Sequence, residues 1–234
     1  MRIKRIVDMT KIIDTKDPNW QKDEQWGAQE RDKLIKVDPY IYVPDRCLVE
    51  DITMWSHLGT HIESPYHQYL LKGGKSIGEL PVDTFAGEGI VINMSYIGME
   101  EDMDKVRERA ERMGVTGKLI TEDDMKPLDK KIKKGDIVFF YTDWEIPDIP
   151  LIGSGAAHWL VDKGVKCVGV SEQGIIMSFG GHSTLLENGI PMVEDYINCD
   201  QVVDKRLFLV CAPLRIIGLG ATPCRAFAIE FEEK

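Results

Sequence analysis

Eleven consecutive residues, His57-Leu-Gly-Thr-His61-Ile-Glu63-Ser-Pro-Tyr-His67, hold three of the chain's five histidines. Random placement would put about 0.2 histidines in such a window. Gly59 and Pro65 exclude a regular helix, so the side chains have to converge from an extended or turning backbone. On an extended chain His61 and Glu63, two residues apart, point to one face with Cα atoms about 6.6 Å apart. His57 would lie about 13 Å from His61 if the chain stayed extended. Gly59 permits the sharp turn that brings the two imidazoles together. Pro65 then keeps the chain out of a helix, which leaves His67 beside the others.

Imidazole nitrogen and carboxylate oxygen are the donors of transition-metal sites. A single histidine is more often an ordinary loop or core residue, but four ligating side chains in one short segment favour a metal centre. The pattern is not the helical HExxH, because the acid follows the second histidine by two and no helix is possible. Two histidines and one carboxylate would leave a catalytic ion an open position, with further ligands supplied from elsewhere. His182 opens a short helix in Gly-Gly-His182-Ser-Thr-Leu-Leu-Glu-Asn-Gly-Ile-Pro-Met-Val-Glu194, and by itself reads as a helix-terminus residue.

The 234 residues, 43% of them hydrophobic, suffice for one domain spanning 1–234 with a sizeable core. No apolar run reaches 18 residues, and the basic start Met-Arg-Ile-Lys-Arg-Ile-Val-Asp8 lacks the apolar stretch of a signal peptide, so a cytoplasmic protein off the membrane is expected. A net charge of −10 disfavours nucleic acid and anionic membranes as partners. Lys130, Lys131, Lys133 and Lys134 read as the solvated face of a short helix. Five scattered cysteines without a CxxC pair indicate buried, reduced thiols.

Strands are expected at Ile3–Met9, Leu48–Ser56, Gly87–Met94, Ile137–Tyr141, Cys167–Val170, Leu207–Cys211 and Ala226–Phe231. Helices are expected over 100–113, from Thr121, and over Ser154–Lys163 and Ser183–Asn188, with glycines after several of them. Residues 14–46 read as a long aromatic-bearing loop. Alternating strands and short helices with hairpin-like pairs give a single mixed-sheet α/β domain. Gly73-Gly-Lys-Ser76 is no P-loop, because Tyr69 stands where its first glycine belongs, and Gly218-Leu-Gly220 lacks the third glycine of a dinucleotide site. His158, beside Trp159 in a helix, reads as structural.

In these residues the chain resembles the cyclase family of metal-dependent hydrolases, which includes bacterial kynurenine formamidase and isatin hydrolase. The hallmark H-x-G-T-H-x-D-x-P-x-H is matched by His57, Gly59, Thr60, His61, Pro65 and His67, with Glu63 at the family's Asp. A second feature, His then Leu-Leu, Gly and an acid 12 residues on, is matched by His182, Leu185, Leu186, Gly189 and Glu194. Ser171 replaces the family's Asp after the Val-Gly strand. The resemblance implies a swivelling β/β/α-like fold and one or two divalent ions, Zn2+ or Mn2+, held by His57, His61, Glu63, His182 and Glu194. It further implies His67 as general acid/base, Trp20 or Trp26 as lining of the substrate pocket, and a homodimer or homotetramer.

The chemistry expected is hydrolysis of a carbon–nitrogen bond in a small amide, N-formyl amine or cyclic amide. A bound divalent ion lowers the pKa of its water to about 7. A lactone hydrolase, a metal-assisted dehydratase or cyclase, and a non-catalytic metal-binding protein are the alternatives. The last of these has no use for a free base such as His67.

Overall fold

The computed structural model describes residues 2–16, 35–42, 44, 46–68, 73–171 and 174–232. In chain order its elements are β1 (Ile3–Asp8), β2 (Ile35–Tyr42), β3 (Cys47–Met54), β4 (His61–Glu63), β5 (Ala86–Asn93), α1 (Met103–Met113), β6 (Leu119–Ile120), α2 (Glu122–Met125) and β7 (Ile137–Tyr141). There follow β8 (Leu151–Ile152), α3 (Ser154–Lys163), β9 (Cys167–Val170), β10 (Ile176–Met177), α4 (Phe179–Glu187), β11 (Met192–Glu194), β12 (Arg206–Pro213) and β13 (Ala221–Phe231).

Seven strands close into a ring in the order β13-β12-β5-β7-β9-β11-β4, sealed by pairing of β4 with β13. The run β5-β7-β9-β11 is parallel, and the remaining contacts of the ring are antiparallel. β1 lies on the same edge of β13 as β4, farther along the strand. Two small assemblies stand apart from the ring, a parallel sheet β10-β8-β6 and the ribbon β2-β3.

Period-two alternation sorts side chains between the two faces of the ring. Ile62, Val91, Ile137, Phe139, Cys167, Val193, Leu209, Cys211 and Ala226 fill one core, inside the ring. Their neighbours Ile90, Ile92, Val138, Phe140, Val168, Val170 and Met192 face outward under α2, α3 and α4. Both faces of the parallel run are therefore buried, which is why Ile137–Tyr141 is apolar without alternation. The predicted single mixed-sheet α/β domain is what the chain forms, and the sheet closes on itself.

Three expectations are corrected. The stretch 14–46 is not all loop, since β2 lies within it and pairs along its length with β3; Pro39 is tolerated there because β2 has a second edge without a ladder among the described residues. The basic cluster is not on a helix: Lys130 and Lys131 sit in a turn after a 3-10 turn at Lys126–Leu128, and Lys134 sits in the turn closed by Gly135 at φ 81°. The fourth helix starts at Phe179 rather than Ser183, because the Ser178 hydroxyl caps it by accepting from the Gly181 N–H.

Tyr196, fully buried just after β11, joins the two faces. Its ring stacks on Phe139 at 4.4 Å, its hydroxyl donates toward the carbonyls of Phe140 (2.6 Å) and Gly169 (2.9 Å), and it accepts from the Phe140 N–H. Gly169 makes the room, for a Cβ there would stand 2.4 Å from the Phe139 ring. Tyr196→Phe should therefore lower stability by about 1–3 kcal/mol, read as a reduced urea midpoint. An unchanged midpoint would mean that the hydroxyl is dispensable to the barrel.

Candidate metal centre

The three-residue strand β4 sets the geometry. Ile62 points into the ring, so His61 and Glu63 point outward together, as the spacing predicts. Antiparallel pairing puts Glu194 directly opposite His61 on β11. On β4's other side His61 lies opposite Pro223 and Glu63 opposite Ala221. The turn before the strand uses Gly59 at φ 60°, and the His57 and His61 rings lie 5.0 Å apart, as the glycine's freedom led one to expect. The Thr60 hydroxyl donates to the Asp195 carbonyl at 2.7 Å and accepts from the Lys11 N–H, which pins the turn to the end of β11.

After Glu63 the chain makes one 3-10 turn, Pro65–His67, with Pro65 at its start. Pro65 does not exclude every helical turn here, since its fixed φ suits the first position of this one. Gly220 packs beneath this turn, where a Cβ would lie 2.8 Å from the Cα of His67. His182 arrives from the first turn of α4, where Gly181 lets the helix approach the Ile152 carbonyl closely.

These elements bring all four histidines to one carboxylate. Oε1 of Glu63 lies 2.9 Å from His57 Nε2, 3.6 Å from His67 Nε2 and 3.7 Å from His61 Nε2. Oε2 lies 2.7 Å from His182 Nε2, and Glu194 Oε2 lies 3.6 Å from His61 Nε2. Glu63 is 2% exposed. Within this group His57, Glu63 and His67 form one set of converging donor atoms, and His61, Glu63 and Glu194 another. His158 stays on α3, bonded to the Ser154 carbonyl, away from the centre. Trp20 and Trp26 lie outside the described residues. Ser171 bonds the Tyr196 carbonyl through its hydroxyl.

One buried atom shows what the site is built for. The Nδ1 of His61 lies 2.8 Å from the Gly59 carbonyl, which can only accept, so Nδ1 carries the proton. The Nε2 then faces Glu63 and Glu194, buried and without a hydrogen-bond partner. An imidazole nitrogen buried between two carboxylates and beside three further imidazoles suits a divalent cation, which would take the place of its proton. His57, His61, His182, Glu63 and Glu194 all have the donor chemistry to hold one.

Electrostatics agree. Burial works against a charge on Glu63, but His182, His57 and His61 hold its carboxyl well below the usual range. Burial also works against charge on His61, yet Glu63 and Glu194 carry it up to about 9. Glu194 is pushed up to about 7 by lost hydration and by Glu63. Burial lowers His67, so this ring stays neutral more readily than a free imidazole. One partner escaped the sequence reading: Ser56, whose hydroxyl lies 2.9 Å from His57 Nδ1, adjoins the motif but carries no ligand signal of its own.

With His61 raised to about 9, a cation entering at pH 7 has to displace a proton. Titration of Zn2+ into metal-free protein, in buffers of different ionisation enthalpy, should report proton release at pH 7. Apparent affinity should climb from pH 7 to 9 and flatten above. An affinity indifferent to pH would mean that His61 is not displaced.

A family model described as a putative cyclase matches residues 7–175. The kynurenine formamidase of Erythrobacter litoralis is 24% identical over 98% of this chain and 96% of its own length. That of Bacillus mycoides is 26% identical over 76% of this chain and 78% of its own. Isatin hydrolase A from Labrenzia aggregata shares the fold at a TM-score of 0.71 and 20% identity, covering 97% of this chain and 94% of that one. With the family model spanning well over half the chain and the fold in common, the protein belongs to the cyclase family.

Proposed function

We propose that the protein is a metal-dependent hydrolase that cleaves the carbon–nitrogen bond of a small amide, N-formyl amine or cyclic amide. The observation that carries this reading is the buried Glu63 carboxylate with four imidazole Nε2 atoms within 3.7 Å and Glu194 facing His61. The similarity to kynurenine formamidases over nearly the whole chain supports the choice of bond.

His57, His61, His182, Glu63 and Glu194 would hold one or two Zn2+ or Mn2+ ions. Such an ion supplies Lewis acidity, activating water near pH 7 and polarising the carbonyl under attack. The imidazoles, neutral when bound, would add no charge, and the carboxylates of Glu63 and Glu194 would balance the charge of one divalent ion. His67 takes the role of general acid/base. With its side chain 32% exposed it is the most open of the four rings, and burial keeps it neutral and ready to accept a proton. Its Nε2 accepts a proton from water as the carbonyl carbon is attacked. It then returns that proton to the leaving nitrogen as the carbon–nitrogen bond breaks, which gives a carboxylate and an amine.

The protein self-associates in this reading, as a homodimer or homotetramer. All eight residues of β3 are exposed, Leu48, Ile52 and Met54 among them, which supports an apolar contact surface. No helix among the described residues is long and apolar enough to cross a membrane. Buried thiols at Cys167, Cys199, Cys211 and Cys224 support a reducing compartment such as the cytoplasm.

His67→Ala should lower kcat by about 10²–10⁴ while metal content stays at the wild-type level. Retention of kcat would remove His67 from the mechanism. In a panel of N-formylkynurenine, isatin and a simple lactone, turnover should favour the carbon–nitrogen substrates, and turnover of the lactone alone would replace amide by ester chemistry.

A further inference from the structure

The two histidines that flank Gly59 are held differently at the nitrogen that turns away from Glu63. His61 Nδ1 meets a carbonyl, which accepts and never donates, so its proton is fixed at Nδ1. His57 Nδ1 meets the Ser56 hydroxyl at 2.9 Å, and a hydroxyl both donates and accepts. His57 Nε2 in turn lies 2.9 Å from Glu63 Oε1, a hydrogen-bonding distance at which one of the two atoms has to bring a proton. Glu63 as a carboxylate has none to bring, so without a cation the proton sits on His57 Nε2 and the Ser56 hydroxyl donates to Nδ1.

We propose that Ser56 is a positioning residue that lets His57 change tautomer when the centre is loaded. The proposal rests on the metal-centre reading above. When a cation is bound, the proton on His57 Nε2 leaves to solvent and another is taken up at Nδ1, so the ring's proton count does not change. The Ser56 hydroxyl rotates from donor to acceptor, and the Nε2 lone pair is free to face the cation. His61, locked by its carbonyl, keeps its Nδ1 proton in both states, so only its Nε2 is ever turned to the cation. The centre is thereby asymmetric: the His61, Glu63 and Glu194 donors are fixed, whereas His57 becomes a ligand only through the hydroxyl of its neighbour. Ser56 touches no substrate in this account. It is partly buried where the chain leaves β3, and it acts on the ion through one ring.

The test compares wild type, Ser56→Ala and Ser56→Thr, each metal-free and titrated with Zn2+. Zn2+ affinity is read by competition with a chromophoric chelator, and the histidine tautomers by long-range 1H–15N spectra, which five histidines keep simple enough to assign with single His→Gln variants. In wild type the His57 proton should move from Nε2 to Nδ1 on loading, while His61 keeps a proton at Nδ1 throughout. Ser56→Ala should bind Zn2+ about 10-fold to 100-fold more weakly. Ser56→Thr, which keeps the hydroxyl, should restore wild-type affinity. A Ser56→Ala protein with wild-type Zn2+ affinity overturns the proposal alone, as does a His57 proton on the same nitrogen in both states. A wild type that binds no Zn2+ overturns the metal-centre reading and this proposal with it.

Discussion

Glu63 is an ionised carboxylate 2% exposed, on a strand of only three residues at the seam where the barrel closes. Removing such a group from water costs several kcal/mol unless positive charge and hydrogen bonds surround it. The chain surrounds it with four imidazoles, delivered by three different kinds of backbone: a glycine turn, a strand and its 3-10 continuation, and the first turn of α4. Without a metal the rings have to meet that need with protons, which is why His61 and His182 are raised. A divalent cation meets it with one atom. The closed ring, the short strand and the helix layer all bear on keeping that carboxylate dry and its partners in place.

The reach of the side chain matters here. The family's pattern carries Asp at this position, and the extra methylene of Glu63 extends the carboxylate by about 1.5 Å. That length lets its two oxygens serve both sides of the centre, Oε1 toward His57, His61 and His67 and Oε2 toward His182.

Much of this was legible in the sequence. The two-residue spacing of His61 and Glu63 forces a shared face on any strand, and Gly59 at φ 60° makes the turn its lack of a side chain allows. The continuous apolar run Ile137–Tyr141 announced a strand buried on both faces. What escaped was long-range. Nothing local says that β4 pairs with both β11 and β13, so the placing of Glu194 opposite His61 rests on a register that only the closed sheet sets. β13 begins at Ala221, ahead of the Ala226 expected, and Ala221–Pro223 is the stretch that seals the ring. β2 is hard to see in a polar, proline-bearing stretch because the ribbon has no buried side chain among its described residues to enforce alternation. The helix around His182 was read too short because its glycines look like a loop until the Ser178 cap and the close approach to Ile152 are seen.

The central claim is that Glu63 and its imidazoles exist to hold a divalent ion. The direct measurement is the metal-to-protein ratio of wild type and Glu63→Gln, by elemental analysis after purification without chelators and reloading with Zn2+ or Mn2+. The account predicts one or two ions per wild-type chain and loss of tightly held metal in the variant. A folded wild type that retains neither metal after reloading, or a Glu63→Gln variant that keeps the full complement, would contradict it.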